Sequence, residues 1–143
     1  WAPSAPGAGT TTWRGTTSED NCLRAAIKLS TLVDAKYIVL KLGERGAFLY
    51  DGREYFTVPA EPVDAVDTTA AGDVFTAVMT YVYLQNGNIL SAVKYATCAA
   101  AISVTRLGAS TSIPSLEEVV AYAKNKVAQE NGEAADGSGE GDA

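Results

Sequence analysis

Residues 66–75 read Val66-Asp67-Thr68-Thr69-Ala70-Ala71-Gly72-Asp73-Val74-Phe75. Phe75, Val78, Met79 and Val82 then fall on one stripe at helical spacing, and Asn86-Gly87 ends the run. The stretch therefore opens a helix, expected from Ala71 to Leu84. Three small residues, Ala70 to Gly72, allow the backbone to come close to a ligand. They stand where several amides lack intrahelical partners and where aligned peptide dipoles add about half a positive charge. Such a place binds phosphate or a developing anion. Asp73 sets a carboxylate beside it, which repels phosphate unless it has a task, such as accepting a proton from an attacking hydroxyl. The residues alone leave a second reading open. An acid in a first helical turn stabilises by ~0.3–1 kcal/mol without chemistry, and Asp67-Thr68-Thr69 can serve as a cap.

Upstream, a helix begins near Thr17-Ser18, with Leu23, Ala26, Ile27, Ser30 and Val33 at helical spacing. Tyr37-Ile38-Val39-Leu40 is a β-branched run suited to a buried strand, broken by Gly43-Glu44-Arg45-Gly46. Two further strands flank Asp51-Gly52, the signature of a two-residue type I′ hairpin. Downstream, Leu90 to Val104 is an alanine-rich helix, and Gly108 is a stop signal. Ser115-Leu116-Glu117-Glu118 is a capping box, and Leu116, Val119, Val120, Ala123 and Val127 make the apolar face of its helix. The order predicts an α/β fold with a mixed sheet and one β-hairpin. Residues 1–16 read as an irregular leader, 17–128 as the folded unit and 129–143 as a disordered acidic tail.

Composition narrows the function. The chain has 143 residues, 47% hydrophobic and 20% charged, enough for one core. It has no histidine, which excludes a Ser-His-Asp triad and any His-ligated metal within it. The net charge of −6 is concentrated in the last fifteen residues, which hold five acids and no base. The body is near neutral, so no basic face for nucleic acid is expected, and no apolar run is long enough to span a membrane. Cys22 and Cys98 form no CxxC and read as reduced thiols of a cytoplasmic protein.

Three spaced stretches carry a family resemblance. Val66 to Phe75 resembles the C-terminal signature of the ribokinase family of carbohydrate kinases, the PfkB group. Leu42-Gly43-Glu44-Arg45-Gly46 resembles that family's nucleotide-binding turn at the family's spacing. Ala99 to Ala109, followed by Ser112-Ile113-Pro114, resembles its next helix and cation loop. The likeness runs from about Ser18 to Lys124.

The resemblance implies the C-terminal part of a three-layer α/β/α fold and phosphoryl transfer from ATP to a sugar hydroxyl. Asp73 matches the catalytic base that meets the sugar, and Ala70, Ala71 and Gly72 match an anion hole of main-chain amides. Lys41, Leu42, Gly43, Glu44, Arg45 and Gly46, with Gly72, Asp73 and Thr97, match positions around the nucleotide. Asp67, Thr69, Ser103, Arg106, Gly108 and Ser112 match the loop that holds a monovalent cation, usually K⁺. Mg²⁺ would arrive with ATP. The chain departs from the pattern at Lys41, where threonine is frequent, at Thr97, where His or Asn is common, and at Val78, where Gly or Ala is preferred. On the residues alone, Lys41 also reads as a solvated strand end, Gly43 and Gly46 as a plain turn, and Arg106 as a favourable charge at a helix C-terminus.

The family's Gly-Gly sugar motif and lid are not in this sequence. The expectation is thus a C-terminal half with little kinase activity alone, either homodimeric or paired with an N-terminal half. The alternative is a non-catalytic nucleotide-binding or subunit-interaction remnant.

Overall fold

The structure is a computed structural model that describes residues 18–136. The leader 1–16 and the tail residues 137–143 lie outside the described residues. Helix α1 spans Ser18–Leu32, and strands β1 (Ile38–Lys41), β2 (Ala47–Tyr50) and β3 (Tyr55–Val58) follow. Helices α2 (Ala71–Asn86), α3 (Ile89–Val104) and α4 (Leu116–Asp136) complete the chain, with 3-10 turns at Gly43–Arg45 and Ser110–Ser112.

The strands are ordered β1-β2-β3. β2 is central, and Ala47, Phe48 and Leu49 are all buried because helices cover both faces. On one face Phe48 packs with Ile38 and with Ala26 of α1. On the other, Ala47 and Val58 meet Phe75 of α2 and Val93 and Ala96 of α3. These are the three layers, helix, sheet and helix. A further cluster joins Ala70 and Val74 to Cys98 and Ala99 of α3 and Val119 of α4. Val78 packs against both this cluster and the sheet-side one, a bridging position that a Gly or Ala would leave thinner.

Four expectations need correction. Both strand pairings are antiparallel, so the described sheet is a meander of two hairpins and not a mixed sheet with one. The Leu42–Gly46 turn closes with Leu42 N–H donating to Gly46 C=O at 2.8 Å, whereas a parallel neighbour needs a crossover of a dozen or more residues. The second turn is centred on Gly52-Arg53, since Asp51 N–H donates to Glu54 C=O at 3.1 Å. Among the described residues only glycines have positive φ, which excludes type I′ at Asp51-Gly52. The Asp51 carboxylate accepts from the amides of Arg53 and Glu54 instead. Ile27 of α1 is 44% exposed, because the helix rests on the sheet through a narrow line of Cys22, Leu23 and Ala26, and Val33 falls just past the helix end and is 51% exposed. Finally, α4 continues through Asp136, so residues 129–136 are helical. The reason is local: Gln129, Glu130, Glu133 and two alanines are good helix formers and outweigh Asn131, Gly132 and Asp136.

Two caps match their sequence signals. Gly87 adopts φ 67° after α2, with its N–H on Tyr83 C=O. Ser115 and Glu118 cap each other reciprocally at α4, with bonds of 2.7 and 3.2 Å.

Candidate active site

The head of α2 has an unusual cap. Its N-cap is Ala70, which makes no side-chain hydrogen bond to the helix. Alanine is among the poorest N-caps, costing about 1 kcal/mol against Ser, Thr or Asp. Ala71 N–H makes a long bond to Thr68 C=O at 3.3 Å, while the amides of Gly72 and Asp73 have no acceptor among the described residues. Ala70 itself is buried against Val74 and α3. The Ala70 amide likewise has no backbone acceptor among the described residues, so Ala70, Gly72 and Asp73 all carry spare donors. The Asp73 amide is an addition that sequence reading missed, because a residue read for its carboxylate draws attention from its backbone.

The position of this helix head is fixed from α3. Val66 N–H and Asp67 N–H both donate to Val104 C=O, at 2.7 and 3.0 Å. One Asp67 carboxylate oxygen accepts the Thr69 amide at 2.9 Å and the Thr69 hydroxyl. The other accepts the Gly108 amide at 3.1 Å. These three donors hold the Asp67 carboxyl below the usual carboxylate range, the Thr69 hydroxyl most of all. Gly108 reaches this place with φ 91°, a conformation that favours glycine.

The nucleotide-turn residues come to the same place. Lys41, Gly43, Glu44 and Gly46 line one cleft of about 810 Å³ with Thr69, Ala71, Gly72, Asp73 and Thr97. Lys41 ends β1 and donates from Nζ to Gly72 C=O at 3.2 Å and to Thr76 Oγ1 at 3.1 Å. Thr76 was not singled out in the sequence, since a hydroxyl inside a helix gives no spacing signal. Gly46 has φ 91°, and a Cβ there would lie 2.0 Å from Val58 C=O, so the fold itself requires it. A Cβ at Gly43 would meet nothing within 4 Å. Thr97 is buried and donates to Val93 C=O at 2.9 Å. Leu42 faces the α1 cluster instead of the cleft, and Arg45 does not line it.

The cleft wall also includes Ala60, Glu61, Pro62 and Val63 from the link after β3, which sequence reading passed over. Two prolines mark that link as a loop, but nothing in the sequence shows where it folds. Glu61 is nearly buried and ion-paired with Lys126 of α4.

The cation-loop residues gather in part. Ser103 Oγ donates to Ser112 Oγ at 3.2 Å, both buried, and Ser112 Oγ donates to Ala109 C=O at 2.7 Å. The Arg106 side chain is paired with Glu118, so only its backbone could serve a cation. No group of three or more acidic or thiol side chains able to cage a metal occurs among the described residues. A larger hollow of about 1060 Å³ lies between β3, α3 and α4. It shares Glu61 and Thr97 with the cleft but contains none of the α2 head.

Fold and cleft together define an α/β/α protein with a glycine-turn cleft facing a helix head. Residues 8–116 match the pfkB family carbohydrate kinase, and the chain belongs to that family. It is 39% identical over 102 residues to the deoxyribokinase of Salmonella typhi, covering 70% of this chain and 33% of that protein. Among solved structures it is similar to ribokinase from Thermotoga maritima, with 46% identity and TM-score 0.67, covering 71% of this chain and 34% of that one. It is also similar to Arabidopsis thaliana ribokinase complexed with ribose and ATP, with 28% identity and TM-score 0.68, covering 72% of this chain and 33% of that one. The chain spans about a third of the length of these relatives.

Proposed function

We propose that residues 17–128 form the nucleotide-binding and phosphoryl-transfer part of an ATP-dependent carbohydrate kinase. The observation that carries this reading is the alanine-capped head of α2. Its Gly72 and Asp73 amides lack acceptors and open into the cleft that Asp73 lines. The relative complexed with ribose and ATP supports ATP as the donor and a sugar as the acceptor.

In this reading the Gly72 and Asp73 amides receive the terminal phosphoryl oxygens. Phosphoryl transfer is mainly positioning and charge stabilisation, and one preorganised donor is worth about 2.7–4 kcal/mol. Asp73 accepts the proton of the attacking sugar hydroxyl. A carboxylate is too weak a base to ionise an alcohol in advance. It can take the proton late, for roughly 10²–10⁴-fold in rate. Gly43 and Gly46 form the turn beside the nucleotide, and Thr97 borders it.

The donor set fits a monovalent cation held by backbone carbonyls of the 105–112 loop, with Asp67, Thr69, Ser103 and Ser112 shaping it. It fits no caged divalent ion, so Mg²⁺ belongs with the nucleotide. Consumption of ATP and two free thiols support a cytoplasmic protein. No helix among the described residues is long and apolar enough to cross a membrane.

The test is ADP release with a panel of sugars, run beside ATP binding. Asp73→Asn is expected to lower any sugar-dependent release by 10²–10⁴-fold while ATP affinity stays within about threefold. Failure of the unaltered chain to bind ATP would refute the reading.

A further inference from the structure

We infer that Lys126 of α4 is a positioning residue for the cleft: paired with Glu61, it holds the 60–63 wall at a set distance from the head of α2. The inference rests on the cleft being a nucleotide site, and it adds a residue that lies outside it. Ala60, Glu61, Pro62 and Val63 line the cleft, whereas Lys126 lines the larger hollow and not the cleft. The wall has little else to hold it. Among the described residues, no backbone–backbone hydrogen bond joins residues 59–65 to the rest of the chain, and Pro59 and Pro62 have no amide to donate. The bond from Lys126 Nζ to Glu61 Oε1 spans 65 positions and ties this stretch to α4.

The other end of the tie is fixed. One cluster joins Ala70 and Val74 at the α2 head to Val119 of α4, with Tyr122 and Ala123 packed against it. Lys126 follows Tyr122 and Ala123 at four and three residues, so it stands on the same face of α4. Both sides of the cleft are thereby referred to one helix, the α2 head through apolar contact and the wall through the ion pair. The Glu61 side chain is 9% exposed and that of Lys126 is 34% exposed, and removing one partner of a shielded pair strands the other charge. Field and position make opposite predictions at Glu61. If the carboxylate acted through its charge alone, its removal would strengthen the binding of a polyphosphate. If it holds the wall, its removal weakens that binding.

The experiment follows the Ala60 and Val63 amide signals by NMR and ATP affinity by calorimetry, with thermal melting to confirm folding. It compares the unaltered chain with Lys126→Met, Glu61→Met, the double variant, Lys126→Arg and Lys124→Met. Lys124 also lines the larger hollow but forms no ion pair among the described residues, so its loss reports charge alone. Lys126→Met and Glu61→Met are each expected to move both wall signals and to weaken ATP binding by about 3- to 30-fold. The double variant is expected to lose no more than either single one, because the same interaction is removed once. Lys126→Arg is expected to restore both readouts, and Lys124→Met to stay within about twofold of the unaltered chain. Unmoved wall signals in Glu61→Met would overturn the inference, even with a lowered melting temperature. So would unchanged or stronger ATP binding in Glu61→Met, a Lys124→Met loss equal to that of Lys126→Met, or losses that add fully in the double variant. If Lys126→Met does not fold, Glu61→Met reads the same two quantities. If the unaltered chain does not bind ATP, the nucleotide reading itself fails, while the wall signals still decide whether the pair positions the wall.

Discussion

At Gly72 a methyl group would find room, since a Cβ there would lie 3.5 Å from Lys41 Nζ, an ordinary contact. Packing therefore does not require this glycine, whereas the proposed approach of a phosphate would. Gly72→Ala is expected to raise stability by about 0.5–1 kcal/mol, as a glycine-to-alanine change within a helix does. The same change should weaken ATP binding at least about tenfold, by crowding the amides that receive the phosphates. Opposite signs in a melting curve and a titration are the check. Gly46 behaves in the other way. Its φ of 91° and the Val58 carbonyl 2.0 Å from a built Cβ leave no space, so Gly46→Ala should destabilise by at least about 1–3 kcal/mol. Urea denaturation measures it. The sequence alone cannot separate these two glycines, because both simply stand beside a turn. Only the neighbours in space tell which is structural.

The elements were largely legible where spacing is local. The α2 stripe, its Asn86-Gly87 end and the Ser115–Glu118 capping box all lie within a few residues of the signal that announces them. What was hidden is long-range. Asp67 reads as a cap on its own residues, yet it also holds the Gly108 amide across 41 positions. Arg106 reads as a dipole partner, yet its side chain binds Glu118, already engaged in the capping box. The Asp67 tether makes a pH prediction. Its folded pKa is lowered, so its contribution is complete above the unfolded value of about 3.9 and disappears as pH falls through the lower folded value. The Thr69 and Gly108 amide signals should therefore hold steady down to about pH 4 and move together below it. In Asp67→Asn that acid-dependent movement should vanish. Independent movement of the two signals would contradict a shared carboxylate.

For the whole molecule, the three layers follow from β2 being buried on both faces, while much apolar surface stays uncovered. Leu32 of α1 and Leu84 of α2 are 71% and 75% exposed, and Leu107 of the loop after α3 is 73% exposed. β1 pairs only with β2 among the described residues, leaving its other edge open. Surfaces of this kind recruit partners or self-associate. The chain is expected to associate with rising concentration in sedimentation experiments, and Leu32→Lys with Leu84→Lys to reduce this; unchanged sedimentation in the double variant would reject these two residues as the cause. The fold class was readable because periodicity and turns report it. The exposed faces were not, because an apolar stripe looks the same whether or not something covers it. The central claim is that the head of α2 receives the nucleotide's terminal phosphates. The most direct measurement is an amide NMR titration of the chain with ATP. The account predicts that the Gly72 and Asp73 amide signals shift most and saturate together. It is contradicted if they stay in place while signals from Tyr95 and Ala123, in the larger hollow, move instead.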